Sequence, residues 1–302
     1  MWFKNLRIYR FTQDIDLSAD TLQAALAEQA FKPCASMDFS RIGWVSPLGR
    51  DSDMLVHAVA GFSMLCARKQ EKILPPAAVN ELVEEKVADF ESAQARKMYR
   101  KEKRTLKEDV VHTLLPRALT RSLLTFAYID EKQKLLIIDT ASSSRAEEFM
   151  EHLRASLGSL PVVPLSCHGD AANIMTHWLK DGLPKHFTLD DECELQNPRE
   201  SKNIVRCKNQ ELESAEIASH LKAGKRVVQL ALLWRDAIRF ILKEDLTIKR
   251  VRFEEIVQEQ ADSEDADRIT RFDQDFAVMS MQLHQLIKEL LTEFGGVEKS
   301  DK

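Results

Sequence analysis

The chain has 302 residues, 44% hydrophobic and 30% charged, with 43 lysines and arginines against 48 aspartates and glutamates, a formal charge of −5. That is ordinary globular chemistry with enough material for a sizeable core, and it excludes a wholly disordered chain or a coiled coil. No apolar run approaches the roughly 20 residues of a bilayer crossing, and Met1-Trp2-Phe3-Lys4-Asn5-Leu6-Arg7 mixes charge with apolar residues rather than opening a signal peptide.

In chain order, a strand is predicted over about residues 3–11 and a helix from Ser18, with Leu22, Ala25 and Leu26 at helical spacing. Gly43-Trp44-Val45-Ser46-Pro47 reads as a turn-rich connector, followed by strands over 54–59 and 62–68. Pro75-Pro76 opens the longest helical pattern, from about Ala77 to Lys107 or beyond. As one continuous helix it would extend about 45 Å, which suggests a projecting arm or a hairpin. Strands over 123–129 and 135–139 flank a polar turn. Ser144 with Glu147 is read as a capping box for a helix ending at Gly158, and 160–165 as a further strand. A short helix over 173–180, a strand over 204–208 and a helix over 214–223 follow. Runs at 227–233, 237–242 and 246–253 form a three-stranded meander. The acidic stretch 259–267 is a solvated loop or an acidic lead into the final helix, which is predicted over 273–294.

Hairpins and meanders outnumber isolated crossovers, so the fold class is α+β with antiparallel sheets and packed helices. The expected segments are an N-terminal α+β part (1–75), a helical arm (76–118), a hairpin and helix completing the core (119–166), and a C-terminal α+β region (167–302). The cysteines (34, 66, 167, 193, 207) form no CxxC and no framework, as in a reduced intracellular protein.

The segment Arg96-Lys97-Met98-Tyr99-Arg100-Lys101-Glu102-Lys103-Arg104-Thr105-Leu106-Lys107 gathers seven cations and one acid inside an acidic protein. On one helical wheel these cations fall within about 160°, opposite Ala95, Met98, Tyr99 and Leu106. Such a stripe suits regularly spaced phosphates. It reads equally as a solvated face, since Glu81, Glu84, Glu85 and Asp89 upstream make the pattern acidic-first and basic-last. Arg68, Lys69, Lys72, Arg117, Arg121, Lys222, Lys225 and Arg226 could extend a basic surface. Tyr99 is the one aromatic in the stripe, so no stacking platform for single strands is visible and duplex backbone is the better target.

Catalytic signatures are lacking: no GxxxxGK[ST], GxGxxG before a helix, GxSxG or HExxH. Cys167-His168 with His177 and His186 matches no zinc spacing. Asp130, Glu131 and Asp139 are the one carboxylate set imaginable for a metal-dependent nuclease. A protein-interaction scaffold is the other alternative. The expectation is a non-enzyme with no cofactor and no metal.

Ordered stretches from end to end carry a resemblance. They are Trp2-Phe3-Lys4-Asn5-Leu6, Gly43-Trp44-Val45, Cys66-Ala67-Arg68-Lys69 with Glu71-Lys72-Ile73-Leu74-Pro75, Gln94-Ala95-Arg96-Lys97, Leu114-Leu115-Pro116-Arg117-Ala118, 156–166, Ala223-Gly224-Lys225, and Arg271-Phe272-Asp273 with Asp275-Phe276. On these the chain resembles the recombination-associated RdgC family along essentially its full length. The resemblance implies a non-enzymatic, nucleoid-associated protein of the bacterial cytoplasm. It implies a ring-shaped homodimer with a positive hole for duplex DNA, weaker binding to single strands, little sequence preference and restraint of RecA-promoted strand exchange. Carried onto this sequence, the DNA-facing residues are Arg96, Lys97, Arg100, Lys101, Lys103, Arg104, Lys107 and Arg117, with Lys208, Lys225 and Arg226 as weaker candidates. Two positions depart from the family pattern: Leu119 stands where some relatives have an aromatic, and Lys208-Asn209-Gln210 has one lysine where relatives can have two.

Overall fold

Leu135-Leu136-Ile137-Ile138 shows how the molecule is layered. Successive side chains of a strand point to opposite faces, and all four of these are buried. Leu135 and Ile137 enter one apolar core, Leu136 and Ile138 another. This part of the sheet is therefore covered on both faces.

The computed structural model describes residues 1–50, 52–259 and 267–298. Twelve strands are β1 (Leu6–Phe11), β2 (Ser40–Val45), β3 (Val56–Val59), β4 (Phe62–Lys72), β5 (Thr120–Asp130), β6 (Leu135–Asp139), β7 (Val162–Pro164), β8 (Phe187–Asn197), β9 (Glu200–Cys207), β10 (Arg226–Trp234), β11 (Ile238–Lys243) and β12 (Ile248–Phe253). The helices are α1 (Ala19–Ala27), α2 (Pro76–Gln94), α3 (Arg100–Leu114), α4 (Ser143–Leu157), α5 (Ala171–Asp181), α6 (Ala215–Lys222), α7 (Glu255–Gln258) and α8 (Arg268–Glu293). None of them is long and apolar enough to cross a membrane.

All twelve strands join one sheet, in the order β2-β4-β5-β6-β1-β12-β11-β10-β8-β9, with β3 beside β4 and β7 beside β1. Every strand pair in it is antiparallel. The α+β reading with a large antiparallel sheet therefore holds. Helices α1 and α4 close one face of the N-terminal half through Leu22, Leu26, Phe149 and Leu153. Helices α5, α6 and α8 cover the opposite face and the C-terminal strands.

The two halves meet at a thin seam. Strands β1 and β12 share the registered pair Leu6↔Ile248, reinforced by Val251 N–H donating to the Lys4 carbonyl at 2.9 Å. Helix α8 bridges that seam. On the N-terminal side His284 Nδ1 lies 2.6 Å from the buried Asp130 carboxylate, and His57 Nε2 lies 3.1 Å from Asp273. On the C-terminal side Glu289 accepts from Trp234 Nε1 at 2.6 Å and pairs with Arg235.

Several sequence expectations are corrected. The connector at 43–45 is part of β2, and Gly43 is there because a Cβ would sit 2.4 Å from the Phe31 Cα, where residues 29–31 run against the strand. The helix over 144–157 is capped by Ser142, whose hydroxyl accepts from Arg145 N–H, so Ser144 lies inside it. Strand β8 lies outside the expected elements, β9 extends the strand expected over 204–208 back to Glu200, and α8 starts earlier than expected, at an Asp267 cap. Residues 260–266 of the acidic stretch lie outside the described residues.

Phe276 is fully buried on α8 between Tyr128 and His57, with ring centroids 6.0 and 5.9 Å away. Phe276→Ala should cost about 3–5 kcal/mol in urea-induced unfolding. A loss below about 1 kcal/mol would show that α8 does not clamp the sheet.

Candidate nucleic-acid interface

The basic segment lies in the connection between β4 and β5. Lys72 N–H donates to Phe39 O at 2.8 Å and Ile73 N–H to Leu119 O at 2.7 Å, so the sheet ladder continues up to the point where the helices begin. Pro76 occupies the first turn of α2, where a missing N–H costs nothing. Helix α2 then runs for 19 residues, about 28 Å.

It stops at Ala95, in the left-handed conformation at φ 51°. Of the two possibilities for the helical pattern over 77–107, an arm or a hairpin, the chain takes the hairpin of two helices, and the reason is a fastened turn. Arg96 places two guanidinium nitrogens 3.0 and 2.8 Å from the Glu102 carboxylate. Glu102 also accepts from Tyr99 N–H at 2.8 Å, covering an orphan donor at the start of α3. The Arg96 guanidinium stacks over Phe90 and Tyr99, 4.8 and 5.2 Å from the ring centroids. Met98 N–H donates to Glu91 at 2.9 Å across the turn. Hydrogen bonds from Arg96, then from the Tyr99 amide, hold the Glu102 carboxyl well below its usual range, at about 2.

The single wheel is corrected accordingly: Arg96 and Lys97 belong to the turn, and Arg96 is committed to Glu102. Five cations remain on α3: Arg100, Lys101, Lys103, Arg104 and Lys107. All five are exposed and still span about 160° of the helix. The charged side-chain groups of Lys97, Arg100, Lys101 and Lys103 have no partner among the described residues. Arg104 stands 3.9 Å from Glu108, a contact of little energetic weight, and Lys107 hydrogen-bonds Asn80 at 2.9 Å. Across the hairpin, Glu81, Glu84, Glu85 and Asp89 of α2 are exposed and form no ion pair with α3 among the described residues. The helices meet through a small apolar seam of Val79, Val87 and Val110, which belongs to neither main core. One helix thus presents acid, the other base.

The other predicted cations have different surroundings. Arg117 is exposed in the 3-10 turn at Leu115–Arg117, close to Leu119, which is 78% exposed. Lys72 donates to Leu115 O at 3.1 Å, Lys69 pairs with Glu71 and Glu148, Arg121 pairs with Glu71, and Arg68 stacks on Phe31. Lys208 pairs with Glu192 at 3.4 Å and Arg226 with Asp170 at 3.0 Å. Lys225 is buried with its ammonium on Asn203. These last three lie by β9 and β10, toward the opposite end of the strand order from β4, so they do not join the hairpin surface.

The carboxylates considered for metal chemistry are apart. Asp130 pairs across the hairpin with Leu135, four positions from Asp139, a separation of about 13 Å along the strand. Asp130 is 1% exposed and already holds His284 and the Lys132 and Gln133 amides. Burial pushes the Asp139 carboxyl up, although it accepts from the Lys4 and Asn5 amides. His177 pairs with Asp181 and His186 with Glu289, and among the described residues no group of three or more His, Cys, Asp or Glu could hold a metal ion. Sequence reasoning missed the Arg96–Glu102 fastening. The one signal for it was the lone acid within the basic run.

A family model described as "Putative exonuclease, RdgC" matches residues 1–297. The chain is similar over its full length to proteins called "Recombination-associated protein RdgC". It is 44% identical to that of Tolumonas auensis, covering 100% of both chains. It is 45% identical to those of Aeromonas hydrophila, covering 99% of this chain and 100% of the relative, and Proteus mirabilis, covering 98% and 99%.

Because Glu102 sits below the unfolded carboxylate value, its pairing stabilises the turn above about pH 4.3 and is lost as pH falls toward 2. Carbon-13 NMR of the Glu102 carboxyl should show a midpoint near 2 that returns toward about 4.3 in Arg96→Gln. An ordinary midpoint in the unaltered protein would mean that Arg96 is free.

Proposed function

The chain belongs to the RdgC family, and on that premise we propose that it binds duplex DNA through phosphate contacts made by α3, without enzymatic turnover. The observation that carries this reading is the row of exposed α3 cations, most of them without an acidic partner, in a protein of net charge −5. Phosphates are regularly spaced and need no base-specific geometry, so such a row holds duplex of any sequence. Lys97 and Arg117 flank it. Arg96 serves by shaping the turn, and Lys208, Lys225 and Arg226 are at most secondary contacts. The lack of an aromatic platform favours duplex over single strands.

The finer reading follows the family. Two copies close into a ring, the hairpins act as arms reaching across it, the basic helices face the enclosed DNA, and the acidic surface faces outward. A protein clamped on duplex in this way sits on the nucleoid and restrains RecA-promoted strand exchange by occupying the DNA. A closed two-fold assembly requires self-complementary contacts at both ends of the subunit. The exposed Leu119 at the base of the arm is one apolar residue available for such a contact.

The word exonuclease in the family description names the competing reading. The commitment of Asp130 to His284 and two backbone amides, with Asp139 a further 13 Å or so along the hairpin, speaks against a shared metal site there.

Duplex affinity should fall steeply with salt and differ little between unrelated sequences. The triple variant Arg100→Glu, Lys101→Glu and Arg104→Glu should lower the log–log salt slope by about 3 and weaken binding about 100-fold at about 0.15 M salt, with the circular dichroism unchanged. Unaltered affinity in that variant would remove α3 as the site. Duplex incubated with the protein and Mg²⁺ should stay intact; cleavage lost in Asp139→Ala would favour the nuclease.

A further inference from the structure

Strands β8 and β9 form the hairpin at the outer edge of the sheet, and among the described residues β9 has no neighbour on its far side. Its first residues, Glu200 to Asn203, are exposed, as expected of an edge that opens more readily than the centre. Cys193 and Cys207 face each other directly across this pair. Both are buried on the core side and neither is in a disulfide.

Directly opposed residues of an antiparallel pair have Cα atoms about 4.5 or 5.5 Å apart, and both values lie within the roughly 4.4–6.8 Å that a disulfide spans. Opposed side chains also leave the sheet on the same face, so the two sulfurs start as neighbours. The remaining adjustment is a small approach of the Cβ atoms. Strand β8 has room for it, since its register with β10 shifts next to Cys193, between the pairs Leu230↔Cys193 and Leu232↔Leu189.

We propose that Cys193 and Cys207 are a latent disulfide, formed by exchange with small-molecule disulfides when the β9 edge opens. Cys207 is the entering thiol, because it ends the edge strand and precedes the exposed Lys208-Asn209 turn. Its thiolate attacks one sulfur of the small disulfide, forming a mixed disulfide and releasing one small thiol. Cys193 then attacks the Cys207 sulfur, gives up its proton and expels the second small thiol. Two protein thiols are oxidised to one disulfide, and one small disulfide is reduced to two thiols. Burial, together with the neighbouring Cys207 sulfur, pushes the Cys193 thiol well above the usual thiol range. Exchange in the closed hairpin is therefore slow, and the pair stays reduced until the edge frays. The product is a covalent latch that stops β9 from peeling off the sheet.

The full chain would be incubated with oxidised glutathione, denatured, alkylated and analysed by intact mass and peptide mapping. Free thiols should fall from five to three, with a 193–207 cross-linked peptide, a higher thermal midpoint, and reversal by dithiothreitol. Cys193→Ser should instead leave a glutathione adduct on Cys207, showing entry without resolution. Five free thiols after prolonged exposure, including in mild urea that frays the edge, would overturn the proposal. So would a disulfide joining any other cysteines or two chains.

Discussion

The ladder between β4 and β5 is the contact on which the rest of the molecule is hung. Eleven registered pairs run from Phe62↔Asp130 to Lys72↔Thr120. At one end Phe62 and Met64 face one core while Leu65 and Ala67 face the other, so the ladder is held by apolar burial on both sides. Strands β2 and β3 pair along its outer side, and Asp130 at its buried end anchors His284 of α8. At the other end the same two strands emerge from the core and carry the helical hairpin between them. Pairing between residues far apart in sequence thus fixes where the basic helix starts and returns.

Beyond the ladder the hairpin has little apolar support. Most of a helix's stability in a protein comes from tertiary packing, and the seam between these two is small. The turn compensates: Arg96, Glu102 and Tyr99 set α3 antiparallel to α2 and cap its first turn. The charge pattern is a consequence of the same geometry. A continuous helix would have stacked an acidic half end to end with a basic half. Folding it back places the two halves side by side, with α3 free to meet a polyanion and α2 repelling it.

Much of the sheet was legible because its signals are local. The meander β10–β12 has short apolar runs separated by polar turns, β5 and β6 flank a charged turn, and α5 follows a side-chain cap at Asp170. The elements that were missed depend on partners distant in sequence. Strand β2 contains a glycine demanded by the close passage of residue 31, and most of β9 is an exposed edge with no alternating pattern. The helix break uses neither glycine nor proline; Ala95 takes the left-handed conformation because the turn around Glu102 holds it there. Seven clustered cations were visible in the sequence, whereas the commitment of Arg96 to Glu102 and of Lys225 to Asn203 was not. The opposition of Cys193 and Cys207 is likewise a matter of register, which a list of cysteine positions does not contain.

The most direct test of the account is site-specific photocrosslinking to a duplex of arbitrary sequence. A photoreactive side chain would be placed at Lys101 on α3 and, separately, at Glu84 on α2. Crosslinks should form efficiently from position 101 and fade with salt, and few should form from position 84. Equal crosslinking from both helices, or crosslinks confined to α2, would contradict the claim that the hairpin meets DNA through its basic helix.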